Sequence, residues 1–276
     1  LDLFVIESQS YVDQSMVARV MEYESVARMR YIRQNFKKHT GSGKTTTLYA
    51  ALGEIARPNV NVITVEDPVE KNIDGINQVQ VNTKAGMTFA AALRSILRQD
   101  PDIVMIGEMR DTETAEIGIR AAITGHLVLS TLHTNDAAST ITRLVDMGVP
   151  SYMVASSLIG VVAQRLVKVL CPKCKKPRLS TDEENELMGI CSSVTIFDAC
   201  GCSECNNTGY KGRTAIHEII HCTNDISELI VDGANKDQLE NAAKAHGTKL
   251  LRENVSMLVR SGSTTIDELV RVTYTI

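Results

Sequence analysis

The segment Thr40–Thr45, which reads Thr-Gly-Ser-Gly-Lys-Thr, restricts the fold of this chain more than any other feature of its sequence. Such a loop holds phosphate when a buried strand leads into it and a helix begins at its end. The backbone N–H groups and the helix dipole then face the anion. Gly41 and Gly43 allow the backbone to approach a phosphate closely. We therefore expect an α/β fold with a phosphate site at the carboxyl edge of a parallel sheet.

The loop residues have expected roles in that site. Lys44 would reach the β- and γ-phosphates, and Thr45 would place its hydroxyl on Mg²⁺. The predicted nucleotide-binding residues are Thr40, Gly41, Ser42, Gly43, Lys44, Thr45 and Thr46. The alternative, an ordinary Gly/Ser turn before a helix, is disfavoured by the acidic and histidine motifs further along the chain.

One position departs from the phosphate-loop pattern. The full pattern requires a glycine five residues before Gly43, and that position is Lys38. The segment 32–39 carries three Lys or Arg residues, so it lacks the apolar run of a strand that is covered on both faces. We hypothesise that residues of the protein are missing between His39 and Thr40.

Two predicted strands of apolar, largely β-branched residues each end at an acidic residue. Val60–Val65 runs into Glu66, and Asp102–Ile106 is followed within two residues by Glu108. Because the carboxyl ends of parallel strands meet at one edge, we expect both carboxylates beside the phosphates. Glu66 is a candidate catalytic base that orients water, and Glu108 a candidate catalytic residue that serves Mg²⁺ through a coordinated water. The alternative for Glu66 is a solvated acid in a strand–proline turn.

A third central strand is predicted at Leu127–Leu129, with His126 before it and His133 after it. Such a strand can sense the γ-phosphate at one end and transmit its loss to neighbouring elements. A lone histidine is more often structural, and we assign neither histidine a catalytic role. Helical patterns at 88–99 and 112–122 supply the crossovers that parallel strands require.

Two Cys-x-x-Cys pairs, Cys171 with Cys174 and Cys202 with Cys205, predict a metal site. Four thiolates complete a tetrahedral Zn²⁺ site and leave no open position, so the predicted role is structural. The chain has 7 cysteines, and an odd number in a reducing compartment favours metal ligation over disulfides. The alternatives are four unrelated core cysteines, or competition from Cys200 as a ligand.

The composition is that of a globular protein without a long basic surface. Apolar residues make up 43% and charged residues 22%, with a net charge of −4. No Lys/Arg block is long enough to follow a phosphate backbone, so no nucleic acid partner is expected. No segment has the form of a secretory signal or a membrane span, so we expect a cytoplasmic location.

In this order, the motifs resemble those of the secretion ATPase superfamily, the motors of type II secretion and type IV pili. The matching segments are the phosphate loop, Thr64–Glu70, Gly107–Asp111 and Thr124–Thr134. The resemblance implies a RecA-like P-loop ATPase core that uses ATP and Mg²⁺, with Glu66 as base and Glu108 at the metal. It also implies a homo-hexamer that acts on an inner-membrane platform protein and is peripheral to the membrane.

The cysteine pairs resemble the pilus-extension and type II secretion ATPases, whereas pilus-retraction ATPases usually lack them. The expected function is therefore an ATP-hydrolysing motor for type IV pilus assembly or type II secretion. Two alternatives remain open at this point: a nucleic-acid translocase on the same fold, and a non-catalytic zinc-stabilised adaptor.

The motifs divide the chain into four predicted units. These are a remnant of an N-terminal domain (1–39) that need not be continuous with the next unit, the RecA-like core (40–168), the zinc module (169–213) and a C-terminal helical region (214–276). In the last unit, capping-box spacing predicts helix starts at Asn235 and Thr265. By resemblance, arginines of the first unit are candidates to complete a neighbouring subunit's site.

Overall fold

The computed structural model describes residues 2–6, 43–56 and 58–274. Its central sheet contains β1 (Asp2–Ile6), β2 (Val62–Glu66), β3 (Asn77–Gln80), β4 (Ile103–Ile106), β5 (Leu127–Leu132), β6 (Leu158–Leu170) and β9 (Tyr210–His221). The spatial order of these strands is β3-β2-β4-β5-β1-β6-β9. A separate two-stranded ribbon pairs β7 (Lys176–Leu179) with β8 (Thr195–Asp198).

Ten α-helices lie in the described part of the chain. They are α1 (Gly43–Ile55), α2 (Phe89–Ile96), α3 (Thr112–Ile123), α4 (Ala137–Asp146), α5 (Ser151–Ser157), α6 (Asp182–Met188), α7 (Asn224–Val231), α8 (Lys236–Ala245), α9 (Leu251–Arg260) and α10 (Ile266–Thr273). None of these helices combines the length and the apolar character needed to span a membrane.

The strands β3, β2, β4 and β5 form the parallel part of the sheet. β3 connects to β4 through α2, and β4 connects to β5 through α3. Each crossover helix begins at a capping side chain: Thr88 accepts from the N–H of Ala91, and Asp111 accepts from the N–H of Thr114. The α/β class predicted from the sequence is confirmed.

The two faces of the parallel strands pack against different layers. Alternate residues point to opposite sides of a strand, so Ile103 and Met105 of β4 face one layer while Val104 and Ile106 face the other. On the first side, α1 packs its Leu48 and Leu52 against the sheet, and both side chains are fully buried. Burying a leucine contributes about 1.5–3 kcal/mol, so this layer fixes α1 on the sheet.

The antiparallel strands extend the sheet beyond the predicted core unit. β1 lies between β5 and β6 and is antiparallel to both. β6 pairs with β9, and these two strands run across positions 168 and 213, where we placed unit boundaries. The boundaries stay a prediction, and the proposed junction between His39 and Thr40 lies outside the described residues.

The predicted helix starts in the C-terminal region are confirmed. Asn235 is the N-cap of α8: its side chain accepts from the N–H of Gln238, and the Gln238 side chain accepts from the N–H of Asn235, which completes a capping box. Thr265 is the N-cap of α10 and accepts from the N–H of Glu268. The Glu268 side chain is buried and pairs with Arg271 instead of turning back to the cap.

Candidate active site

The carboxyl ends of three parallel strands bring Glu66, Glu108 and His133 to one edge of the sheet. Glu66 is the last residue of β2, Glu108 follows β4 by two positions, and His133 directly follows β5. The register aligns Val65 with Ile106 across β2 and β4, which sets the two acidic segments side by side. This edge is where open α/β sheets bind ligands.

Glu66 is buried, with 3% of its surface exposed, and both of its oxygens are hydrogen-bonded. Its Oε1 accepts from Thr64 Oγ1 at 2.6 Å and from Gln78 Nε2 at 3.0 Å. Its Oε2 accepts from the hydroxyl of Tyr49. The same hydroxyl accepts from the N–H of Glu70 at 3.2 Å. Donors from three elements therefore fix the orientation of this carboxylate.

Tyr49 stays protonated as a donor because burial, reinforced by the Glu66 carboxylate, raises the pKa of Tyr49 to about 12. It belongs to α1, the helix that begins within the predicted phosphate loop. A second contact of α1 is Thr47 Oγ1, which donates to Gln164 Oε1 of β6 at 2.8 Å. The first two turns of α1 are therefore hydrogen-bonded to two strands of the sheet, β2 and β6.

Glu108 lies in a different environment, where it is paired with cationic or ionisable groups. It forms an ion pair with Arg110, and its Oε2 lies 3.3 Å from His133 Nε2. Partial burial acts to raise the pKa of Glu108, but Arg110 and, after it, His133 hold that pKa below its usual value. The side chain of Glu108 is 12% exposed, and its partners Arg110 and His133 are 64% and 62% exposed. Glu108 is therefore an ionised carboxylate at the rim of the site.

Gly107 allows the two acidic segments to lie close together. A Cβ at this position would sit 3.2 Å from the carbonyl oxygen of Val65, which is tighter than ordinary packing. The N–H of Gly107 donates to that same oxygen at 2.8 Å, and its own carbonyl accepts from Thr131 Oγ1 at 2.7 Å. These bonds hold the start of the Glu108 segment between its two neighbouring strands.

The two predicted histidines are not brought together. His126 precedes β5 at the amino edge of the sheet, and its Nδ1 lies 3.0 Å from the carbonyl oxygen of Ala121. His133 lies at the opposite end of β5, beside Glu108. Thr40, Gly41 and Ser42 lie outside the described residues, as do the side chains of Lys44, Thr45 and Thr46. The backbone of residues 43–46 forms the first turn of α1.

The loop after His133 is held by β6. Arg165 donates to the carbonyl oxygens of Thr134 and Asn135 at 2.8 and 2.7 Å. Asp136 then caps α4, and its carboxylate also pairs with Lys236 of α8 at 2.7 Å. The loop that follows the candidate site is therefore in contact with α8 of the C-terminal region.

The four predicted metal ligands do come together. The Sγ atoms of Cys171, Cys174, Cys202 and Cys205 all lie within 4.8 Å of one another. The pairing of β6 with β9 closes the long connection between the two pairs. Cys200 lies outside this group and is exposed.

Backbone donors prepare one of these thiols for ligation. The N–H groups of Cys202 and Gly209 both point at Cys205 Sγ from 3.2 Å. Burial acts to raise the pKa of Cys205, but these N–H donors lower it to about 6. A thiolate is the form that ligates a metal, so the group can hold an ion that prefers four sulfur ligands.

The model of the family described as "Type II/IV secretion system protein" matches residues 36–271. The chain belongs to this family. The resemblance drawn from the order of the motifs is therefore confirmed at the level of the type II/IV secretion family.

Two curated relatives match most of this chain but only part of their own length. The type II secretion system protein HxcR of Pseudomonas aeruginosa is 52% identical over 234 residues, which cover 85% of this chain and 47% of that protein. The type IV pilus assembly ATPase PilB of Myxococcus xanthus is 50% identical over 236 residues, which cover 84% of this chain and 42% of that protein. The chain spans about half the length of the curated relatives it matches.

A solved structure of a pilus motor has the same fold. The pilus retraction motor PilT with bound ADP superposes with a TM-score of 0.63 at 28% identity, covering 84% of this chain and 58% of that chain. The match agrees with the RecA-like ATPase core that we expected.

Three side chains at the site were not singled out from the sequence. Arg110 lies in the motif Gly107–Asp111, and an arginine two positions after the acid was an available signal. Tyr49 and Gln78 had none, because their contacts with Glu66 depend on how α1 and β3 pack beside β2.

Proposed function

We propose that this protein is an ATP-hydrolysing motor of a secretion or pilus machine. The observation that carries the proposal is the carboxyl edge of the sheet, where a buried, fixed carboxylate (Glu66) and an ionised rim carboxylate (Glu108) lie side by side. The helix that begins with Gly43, Lys44 and Thr45 is tied to Glu66 through Tyr49. An acceptor for water, an ionised ligand for a divalent cation and a helix start for phosphate are the parts that phosphoryl transfer needs.

Each residue has a proposed role in hydrolysis. Lys44 and the N–H groups at the start of α1 bind the phosphates, and Thr45 with Glu108 serves Mg²⁺. When bound, Mg²⁺ neutralises charge on the phosphate oxygens. Glu66 accepts a hydrogen bond from the attacking water and orients it. His133 contacts Glu108, so a change in the position of Glu108 would be passed on to the end of β5.

We assign the cysteine group to Zn²⁺ in a structural role. Four sulfur ligands suit Zn²⁺ and leave no position for a substrate. Cys171 and Cys174 follow β6, and Cys202 and Cys205 precede β9. The ion would therefore hold together the ends of these two strands, which form the longest strand pair in the described sheet. The ribbon of β7 and β8 lies between the two cysteine pairs in the sequence and is too small to build a core of its own. The bound ion would stabilise it instead.

We further propose a homo-hexamer at the cytoplasmic face of the inner membrane, acting on a platform protein. The relatives named for type II secretion and for pilus assembly support both destinations, since their identities are 52% and 50%. An isolated subunit should hydrolyse ATP slowly, because a charge-stabilising arginine from a neighbour can be worth about 10³–10⁵ in rate.

The test is the Mg-ATP hydrolysis rate per subunit of the intact protein, measured against protein concentration. A rate that rises with concentration and with assembly on a sizing column supports sites completed between subunits. The variant Glu66→Gln should lose most of the rate, while Glu183→Gln, an exposed carboxylate on α6, should keep it.

Three other results would count against parts of the proposal. Absence of hydrolysis at every concentration points to the non-catalytic adaptor. A rate that is flat while the protein stays monomeric points to a self-contained site and removes the ring. Strong stimulation by DNA or RNA points to the nucleic-acid translocase.

A further inference from the structure

The hydrogen bonds that Glu66 forms with the described residues leave one acceptor position open. A carboxylate has two oxygens with about four lone-pair sites in all. Thr64 and Gln78 both donate to Oε1, so this oxygen is filled. Oε2 takes only the Tyr49 hydroxyl among the described residues. The lone pair that the described residues leave for a water is therefore on Oε2, beside Tyr49.

The donors to Glu66 differ in the element that carries them. Thr64 lies on β2 itself and Gln78 on the adjacent β3, so both move with the sheet. Tyr49 lies on α1, six residues after the helix begins at Gly43. It is the donor that links the carboxylate to the segment expected to bind phosphate.

The rest of the Tyr49 environment holds its hydroxyl in place. The hydroxyl accepts from the N–H of Glu70 at 3.2 Å, which orients its own hydrogen toward Glu66. Gln78 in turn fixes the loop between Glu66 and β3, because its Oε1 accepts from the N–H of Ile73 at 2.7 Å. The loop, the helix and the carboxylate form one connected network.

We propose that Tyr49 is a positioning residue that aims Oε2 of Glu66 at the attacking water and makes this aim depend on where α1 sits. The inference rests on the proposed ATP hydrolysis and adds a control of the same site. When bound phosphate holds the start of α1, the tyrosine holds Glu66 in its working orientation. A displaced helix releases Oε2 while Thr64 and Gln78 keep Oε1.

The first test is Tyr49→Phe in the intact protein, with steady-state Mg-ATP hydrolysis measured over a range of ATP concentrations. We expect kcat to fall about tenfold to a hundredfold, because small errors in the position of a reacting group have effects of that size. KM for ATP should change by less than about twofold, since the phenol does not contact the phosphates in this scheme.

Tyr210→Phe is the matched control. Tyr210 is also partly buried and hydrogen-bonded, with its hydroxyl 2.9 Å from Thr265 Oγ1, but it lies at the start of β9 on the far side of the sheet. This variant loses a comparable hydrogen bond and should keep both kcat and KM.

A second variant keeps the inference testable if Tyr49→Phe fails to fold. Replacement of Tyr49 by 3-fluorotyrosine keeps the ring and the hydroxyl, and the more acidic phenol donates more strongly. The kcat of this variant should therefore stay close to that of the unaltered protein, unlike that of the phenylalanine variant. A double-mutant cycle combines Tyr49→Phe with Glu66→Gln and measures the rate of single-turnover hydrolysis. In the Glu66→Gln protein, adding Tyr49→Phe should lower this rate by less than about a further twofold.

The outcomes separate this inference from the proposed function. If the unaltered protein hydrolyses ATP and Tyr49→Phe leaves kcat unchanged, the positioning role is wrong and the ATPase stands. Full additivity with Glu66→Gln, or a loss confined to KM or thermal stability, also overturns it. If the unaltered protein hydrolyses no ATP, both proposals fail together.

Discussion

At the scale of single residues, the site separates two carboxylates by their surroundings. Glu66 is buried among neutral donors, whereas Glu108 is at the rim beside Arg110 and His133. Environments of this kind give chemically identical side chains different roles. A fixed, shielded acceptor suits the orientation of water, and an ionised, more accessible one suits a divalent cation.

The pairing of Arg110 with Glu108 predicts a pH effect. Arg110 lowers the pKa of Glu108, so Arg110→Gln should raise that pKa toward its ordinary value. The ionised fraction of Glu108 then falls at mildly acidic pH, and the acid limb of kcat/KM should move to higher pH. Well above neutral pH the carboxylate is ionised in both proteins, so the shift should shrink there.

Arg94→Gln is the control for this prediction. Arg94 also pairs with a glutamate, Glu113, but both side chains are more than half exposed, and Arg94 is not among the groups that shift the pKa of Glu108. Its loss should leave the pH profile unchanged. Equal profiles for the Arg110 variant and the unaltered protein would show that Glu108 is not the titrating group.

At the scale of elements, a buried carboxylate on β9 joins two helices. Glu218 is 2% exposed, and its two oxygens accept from the first N–H of α4, at Ala137, and of α9, at Leu251, each at 3.0 Å. These N–H groups have no partner within their helices, so the carboxylate satisfies both helix ends. The helix that follows the His133 loop is thereby fixed to the C-terminal region.

Glu218→Gln should therefore destabilise the protein. A glutamine offers one acceptor oxygen and turns an NH₂ group toward the other helix start, leaving a buried N–H without a partner. The expected loss is about 1–3 kcal/mol in the free energy of unfolding, measured by denaturant titration. Glu228→Gln, an exposed glutamate on α7, should change it by less than about 0.5 kcal/mol.

The same glutamate predicts a pH slope of stability. Burial, aided by Asp136 and Glu240, raises the pKa of Glu218 even though the two helix N–H groups act to lower it. Between the ordinary and the raised pKa, the folded state binds more protons than the unfolded state. Stability should then fall as pH rises through that window. Glu218→Gln should lose this slope, and an identical slope in the variant would contradict the assignment.

The cysteine group predicts a measurable metal content. The intact protein should hold about one Zn²⁺ per chain by elemental analysis, because four close thiols form a closed site. Cys205→Ser should lose the ion and lower the melting temperature. Cys191→Ser, at an exposed cysteine outside the group, should do neither. Retention of zinc by the Cys205 variant would exclude the proposed ligand set.

The sequence predicted local elements better than distant pairings. The strands at Val62–Glu66 and Ile103–Ile106 were expected because short buried strands are rich in apolar, β-branched residues, and the caps Asn235 and Thr265 carry local spacing signals. The strand Tyr210–His221 was not predicted, since it gains its place only by pairing with β6. Tyr49 was missed for the same reason: packing of α1 on the sheet decides what it contacts.

At the scale of the whole molecule, the sheet connects two kinds of site. The parallel strands present the candidate nucleotide edge, and the long antiparallel strands β6 and β9 carry the cysteine group at their far ends. β6 belongs to both, because Gln164 contacts Thr47 of α1 and Leu170 precedes the first cysteine. Ligands at either site should therefore stabilise the same cooperative fold.

This arrangement predicts two stabilising effects with separate residue requirements. A non-hydrolysable Mg-ATP analogue at a hundredfold excess over its Kd should raise the free energy of unfolding by about 2.7 kcal/mol, because it binds the folded state alone. Lys44→Ala should remove that gain and keep the loss of stability caused by a zinc chelator. Cys205→Ser should do the reverse.

Denaturant titrations of the two variants, each with and without analogue and chelator, measure both effects on one scale. If Lys44→Ala also abolished the response to the chelator, the two sites would not be independent. If the analogue stabilised Lys44→Ala as much as the unaltered protein, nucleotide would bind away from the start of α1. Since Tyr49 and Thr47 tie that helix start to the sheet, the gain from the analogue should appear in the unfolding of the entire described fold.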